Sequence, residues 1–383
     1  MQTRTRVVLI GVGGFGRVYL RTMTEEDTGA DLTAIVDNDP AAAAKFPVIA
    51  ERKIPVYSSL EEFLARDSAD LAIIVTPVHT HLSMAQACFA HGMHVLCEKP
   101  LCMTLEDAQA MEDAAQAAGK VLALAYQMDF RRDVLALKRD ILAGRFGKAK
   151  RMAVCHAFRR GASYYARNRW AGHIYDGDRE VFDSPFANAS AHNFQMLTFL
   201  LGDSMDSACA VTQAEGELFH GNPAIENYDI AALRFRTDTD TELLYYTAHP
   251  LRTEFFGPYG VMEFDKATIT YEGEALNFHA VMDDGTVIDY DQPTPHGQMQ
   301  KLYDVIDCIV HGGTPQCGAK ADQAHIQAVR MAQQLPICTV REELRRYEEI
   351  GGDKFVLIDG LEDVMLRSMK AWALPSEIGI SLT

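Results

Sequence analysis

Near the start of the chain, Gly11-Val12-Gly13-Gly14-Phe15-Gly16 has the residue types and spacing to cradle a pyrophosphate. Gly11 would make a tight turn, Gly13 would let phosphate reach the backbone, and Gly16 would let a helix pack closely on a strand. Gly14 and Phe15 complete the loop. The helix that follows offers unpaired N–H groups and the positive end of its dipole. A glycine pattern alone is a weak signal, but this one follows the apolar run Val7–Ile10 and opens a helix. Asp37 lies about twenty residues further on, at the end of a second predicted strand. A carboxylate there binds the ribose hydroxyls of NAD and repels the extra phosphate of NADP. No Arg follows within the next few residues to offset that repulsion. The rival readings are a glycine turn that binds nothing and a flavin, for which nothing specific argues.

A second group is Glu98-Lys99-Pro100. Lys99 falls at the carboxyl end of a predicted parallel strand, where doubly wound sheets place their ligands. A lysine beside a nicotinamide and an apolar wall suits proton transfer. Its plainer reading is a surface lysine at a strand end. Glu98 reads as orienting Lys99 or the ring amide. A third group is the segment 164–172. Tyr165 and Trp170 offer faces for the C–H surface of a sugar, while Arg167 and Asn168 offer donors for its hydroxyls or a carboxylate. The alternative is an apolar cluster under a long loop. Arg159, Arg160, Arg167 and Arg169 crowd the same stretch, enough for an anionic substrate group and too few for a nucleic-acid duplex. His249, at a strand end, is a weaker lining candidate, and His156 weaker again. His79, His81, His91 and His94 lack the Cys or carboxylate that would complete a ligand set, so no metal is expected.

These groups need a scaffold. Strand-like and helix-like segments alternate through residue 127, including Leu32–Val36, Leu71–Val75, His81–His91, His94–Cys97, a helix capped by Thr104 and ended by Gly119, and Val121–Ala125. That rhythm predicts a doubly wound parallel α/β sheet, the Rossmann arrangement. After Gln127 a helix over 134–143 leads into consecutive strands at 150–158, 230–236 and 242–249. These predict an α+β domain with a large, mostly antiparallel open sheet. The domains are read as 1–127 and 128–383, with helices from about 298–338 returning to the first. An exposed face of such a sheet is a natural dimer surface, so a homo-oligomer, dimer or tetramer, is expected. Trp372 and Leu374-Pro375 would cap a neighbouring subunit's cleft or close the chain's own.

The 383 residues carry 36 Lys and Arg against 53 Asp and Glu, a formal charge of −17. Such a chain repels nucleic acids and anionic membranes. Val7–Ile10 is too short for a signal-peptide core or a membrane span. The eight Cys form no Cys-x-x-Cys pair, which suits reduced thiols in a cytoplasmic protein.

Together with the glycine loop, Thr76-Pro77 closing one strand, His81 after it, and Gly92–Pro100 closing the next resemble the Gfo/Idh/MocA family of oxidoreductases. The resemblance runs over about the first 340 residues, and Glu98-Lys99-Pro100 is its most specific part. It implies an NAD(P) site that includes Thr76, Pro77, His81, Glu98, Lys99 and Gln127, and a sugar, polyol or derivative as substrate. Lys99 matches the family's lysine beside the nicotinamide and the reacting hydroxyl. The segment Asp183–His192 matches its catalytic helix, in which many members have Asp four residues before a basic His. Here His192 is present, but Asn188 stands where that Asp would be. Asp183, Asn188 and His192 are thus assigned to substrate, and Lys99 and His192 to proton transfer. The implied activity is NAD-dependent hydride transfer from a secondary hydroxyl of a sugar, polyol or glycoside. Two alternatives stay open: an enzyme that recycles NAD to cleave a glycoside, and a redox-silent regulator that binds nucleotide and sugar.

Overall fold

A computed structural model of the protein describes residues 4–383. They divide into two compact units, residues 1–131 with 294–323, and residues 132–293 with 324–383. The division falls inside the helix Ala319–Ala332, so that helix starts in one unit and ends in the other.

Unit 1 is built on six parallel strands, β1 (Thr5–Ile10), β2 (Ala30–Val36), β3 (Val56–Tyr57), β4 (Leu71–Ile74), β5 (His94–Cys97) and β6 (Leu122–Leu124), in the order β3-β2-β1-β4-β5-β6. Every residue of β4 is buried, as are Val7 through Ile10 of β1. Helices therefore cover both faces, which explains the unbroken apolar runs where a half-exposed strand would alternate. Strand order reverses between β1 and β4. The crevice this opens lies at their carboxyl ends, where the glycine loop and Thr76-Pro77 emerge.

Unit 2 holds a nine-stranded sheet. Its strands are β7 (Ala149–Phe158), β10 (Val211–His220), β11 (Ile230–Thr237), β12 (Glu242–Ala248), β13 (Phe255–Phe264), β14 (Ala267–Glu272), β15 (Phe278–Met282), β16 (Val287–Tyr290) and β17 (Ile337–Thr339). The order is β16-β15-β14-β13-β7-β12-β11-β10-β17. All neighbours are antiparallel except β7 with β12 and β10 with β17. Two short strands, β8 (Tyr175–Asp176) and β9 (Arg179–Glu180), form a separate hairpin in the long connection from β7 to β10.

Adjacent residues of β12 report on both faces, because successive side chains of a strand point oppositely. Tyr245 donates its hydroxyl to Ser190 O, beside the helix Ala191–Leu200. Tyr246 donates to Ala373 O at 2.8 Å, in the C-terminal segment. Over β7 and β10–β12, the face expected to be free for a second subunit is thus covered by the chain itself. A hairpin of β18 (Arg345–Ile350) and β19 (Asp353–Ile358) leads into the helix Leu361–Ala371. Leu361, Met365 and Met369 recur every four residues on one side of that helix. They pack with Leu374 and Leu382 against Cys155, Ala157, Ile230, Leu244 and Tyr246. Each such side chain contributes about 1.5–3 kcal/mol by leaving water. Arg234 fixes the segment's end through Glu377 at 2.6 Å, and the Arg151 guanidinium lies 4.2 Å over the Trp372 ring. Trp372 therefore lies over its own chain's sheet. The charged stretch from Arg341 concealed this, because only its hairpin's outer face is polar.

Candidate active site

In unit 1 the glycine loop is shaped by close approach. A Cβ on Gly11, whose φ is +91°, would lie 2.7 Å from Val75 O, and one on Gly16 would lie 2.0 Å from Gly11 O. Gly13 and Gly14 have nothing within 4 Å on their Cβ side, so the cradle over the helix Gly16–Glu25 is open. A groove of about 600 Å³ runs from it, lined by Gly11, Gly13, Asp37, Asn38, Glu61, Thr76, Pro77 and Thr80 among others. Asp37 is fixed by two backbone donors, Val12 N to Oδ2 and Asp39 N to Oδ1, each at 2.9 Å. Its carboxylate stands at the groove with a fixed orientation. Glu61 adds a second negative charge there. An open cradle over a helix start, with no side chain filling it and two carboxylates beyond, fits a dinucleotide lacking a ribose phosphate.

Other residues expected at this site make contacts of their own. His81 is 1% exposed and does not line the groove. Its Nδ1 lies 3.0 Å from Leu101 O and its Nε2 2.8 Å from Thr76 O. It ties the loop after β4 to the loop after β5, and burial lowers its pKa. Glu98 Oε1 accepts from Tyr19 Oη at 2.9 Å and from Lys301 Nζ at 2.7 Å. The carboxylate expected to orient a ring amide instead joins the first helix to the helix Gln300–His311. Lys301 also lies 4.6 Å over the Phe15 ring, which places Phe15 beside that ion pair. Lys99 is half-buried at the end of β5, its peptide bond to Pro100 is cis, and its charge acts on the buried Asp322. Asp322 accepts from Leu101 N at 2.9 Å, and burial pushes its pKa up to about 6. Gln127 opens a short 3-10 turn, Gln127–Phe130.

In unit 2 most of the residues assigned to substrate form one network. Asp183, 5% exposed, accepts from Gly172 N at 2.7 Å, from Asn188 Nδ2 at 2.8 Å and from Arg167 at 3.3 Å. Tyr165 Oη lies 2.7 Å from His249 Nδ1. Tyr164 packs against both Tyr165 and His249, and the Arg167 guanidinium lies 3.7 Å over the Tyr164 ring and 5.0 Å from Trp170. His249 is 2% exposed; burial, then Arg160 and Arg167, hold its pKa well below the usual histidine range. Its imidazole is neutral, and its Nε2 is buried with no hydrogen-bond partner.

Two expectations change here. Asn188 and His192 do not share one α-helix. Pro185–Ala189 is a π-helical turn capped by Ser184 Oγ, which accepts from Ala187 N, and the α-helix starts only at Ala191. Phe186 anchors the turn among Phe194, Phe235 and Tyr245. Such turns recur at functional sites. Asn168 spends its side-chain oxygen on Trp170 N and Ala171 N, at 3.1 and 2.8 Å, so it shapes the loop. His156 pairs with Asn193 at 2.8 Å and is pushed down to about 4 by burial.

Residues 5–126 match the family model described as an oxidoreductase family with an NAD-binding Rossmann fold, Gfo/Idh/MocA. Over this domain the chain is similar to the Gfo/Idh/MocA family. Inositol 2-dehydrogenase 1 of Saccharopolyspora erythraea is 27% identical over 201 residues, 52% of this chain and 55% of that protein. The rhizopine catabolism protein MocA of Rhizobium meliloti is 31% identical over 145 residues, 38% of this chain and 44% of that protein. The matches thus span about half the length of these curated relatives. Among solved structures, the WlbA dehydrogenase of Bordetella pertussis has a TM-score of 0.71 at 22% identity, covering 87% of this chain and 99% of that one. This likeness shows the fold.

Several residues of the two units carry no clear signal in the sequence. Glu61 had one available signal, its place just inside a helix capped by Ser59 after a strand. Lys301 and Asp322 had none, because their partners Glu98 and Leu101 are some two hundred residues away.

Proposed function

We propose that this chain is an NAD-dependent oxidoreductase taking hydride from a secondary hydroxyl of a sugar, polyol or glycoside. The observation that carries the proposal is the open glycine cradle with the fixed Asp37 carboxylate and Glu61 along one groove. Bound NAD supplies the hydride acceptor. The helix at Gly16 faces its phosphates, and Asp37 accepts from its ribose hydroxyls. Lys99 and His192 take the proton that leaves the oxidised hydroxyl. Tyr165, Arg167 and Trp170 hold the substrate, with Asp183, Asn188 and His249 setting their positions. The sugar or polyol class is supported by the relatives, an inositol 2-dehydrogenase and a rhizopine catabolism protein. A dehydrogenase of the same fold was solved with NADH and UDP-GlcNAcA.

The proposal includes a cytoplasmic location, in keeping with eight free cysteines, six of them buried. Among the described residues no helix is long and apolar enough to cross a membrane. It also includes a homo-oligomer built through a surface other than the sheet face under residues 341–383. The test is a thermal-shift screen with NAD, NADP and a sugar library, followed by NAD reduction on every hit. Stabilisation by NAD with net NADH formation on a sugar or polyol is expected. Binding without NADH formation on any of them would overturn the enzymatic reading.

A further inference from the structure

The four arginines between 159 and 169 do not share one fate. Arg169 forms a bidentate pair with Asp176, at 2.7 and 3.0 Å. Arg159 donates to Arg252 O at 2.7 Å and lies 5.0 Å from the Phe355 ring. Arg167 pairs with Asp183. Neither Arg159 nor Arg160 has a carboxylate within ion-pair distance among the described residues, and of the two it is Arg160 that lies beside Tyr164 and His249. Its guanidinium lies 5.0 Å from the Phe158 ring and 4.8 Å from the Tyr164 ring, and its Nε is buried with no hydrogen-bond partner.

The neighbours of Arg160 do not neutralise it. It hydrogen-bonds Tyr164, but burial pushes that phenol up to about 12, so the partner is uncharged. Arg160 N donates to His249 O at 3.2 Å, and the His249 ring is neutral. Asp183 is already shared by Arg167, Asn188 and Gly172 N. Asp229, whose charge is felt at Tyr165, is bound by Gly221 N and Asn222 N at 2.6 and 2.9 Å, and burial pushes it up to about 6. The Arg160 charge is thus left without a counter-ion, flanked by two aromatic rings. A half-buried charge without a counter-ion is costly, and an arriving anion removes that cost.

We propose that Arg160 receives a carboxylate of the substrate, so that the sugar this chain oxidises is an acidic one of the uronic or aldonic kind. The proposal rests on the reading of this network as the substrate site. A single surplus charge and a planar fork match a monoanion. A phosphate, carrying about −1.5 to −2, would bring surplus negative charge towards Asp183 and Asp229.

The experiment uses the full chain with NADH present. Binding of glucuronate, galacturonate and gluconate is titrated beside glucose, galactose, sorbitol and glucose 6-phosphate, and NAD reduction on the same set is followed separately. At least tenfold tighter binding of the carboxylates over their neutral counterparts is expected. Arg160→Met should abolish that preference, and Arg160→Lys should keep part of it and guard against a folding defect in the first variant. Carboxylate preference without NAD reduction would fail the dehydrogenase reading and leave this inference standing. Equal binding of acids and neutral sugars, preference for the phosphate, absence of all binding, or a preference that survives Arg160→Met would each overturn it.

Discussion

Asn188 donates its side-chain amide to Asp183 Oδ1 at 2.8 Å. This pair gives a physical meaning to the Asn at a position where the family resemblance implies Asp. The buried carboxylate of this site is at 183, five residues earlier, and position 188 must be a donor. Asn188→Asp would set two carboxylates against each other in a site where Asp183 is 5% exposed. One of them must then take up a proton. A loss of roughly 1–3 kcal/mol is expected at pH 8, shrinking at pH 5 as the shared proton binds. Urea unfolding at the two pH values checks this. An equal loss at both would contradict it.

The Glu98–Lys301 pair is the second prediction. Lys301 is 1% and Glu98 13% exposed, so neither charge can turn to water when its partner is removed. Lys301→Met should cost about 3 kcal/mol, because it strands a buried carboxylate that also holds Tyr19. Glu98→Gln in the same background should recover part of the loss. Denaturant melts of the single and double variants measure both.

Cofactor choice should follow the groove's two carboxylates. Asp37→Ala is expected to weaken NAD binding about tenfold, roughly 1.4 kcal/mol, and to narrow its advantage over NADP. Glu61→Ala should leave NAD binding nearly unchanged and improve NADP alone. Titration of both nucleotides against the three proteins decides between this and a phosphate-tolerant groove.

Two buried acids set a pH dependence of stability. Burial raises Asp229 and Asp322 from 3.8 to about 6. Below pH 3.8 each is protonated whether the chain is folded or not. As pH rises from there to 6 the unfolded chain ionises first, so these two groups lower stability across that window. Asp322→Asn should therefore flatten the fall between pH 4 and 6. A variant as steep as the parent in that window would show that Asp322 does not titrate there.

The loop carrying Arg160 and Tyr165 leans on the C-terminal hairpin. Asp353 accepts from Ser163 N at 3.0 Å and Ser163 Oγ at 2.5 Å, and a Cβ on Gly161 would lie 2.3 Å from its Oδ2. Asp353→Ala should raise KM for the sugar a few-fold with kcat nearly constant. A matching fall in kcat with KM unchanged would argue against a positioning role.

Unit 1 was legible because its signals are local. The loop at 11–16, the acidic residue at 37 and the unbroken apolar strands each declare themselves within a few residues. The loop at 164–172 was half legible: Tyr165 and Arg167 lie in one network, but Asn168 turns inward to close its own loop. The cover formed by residues 341–383 was not legible. Its apolar residues are spaced for a helix, but their partner is a sheet face some hundred or more residues earlier. Nor could periodicity reveal that the stretch before His192 is a π-helical turn, since one extra residue per turn leaves no mark on composition.

The central claim is that Lys99 acts in NAD-dependent oxidation. Its most direct test is the rate of NADH formation by Lys99→Met and the parent chain on the same accepted sugar, with NAD binding measured in parallel. A fall of at least about 100-fold with NAD binding intact is the predicted result. Undiminished NADH formation by Lys99→Met would contradict it.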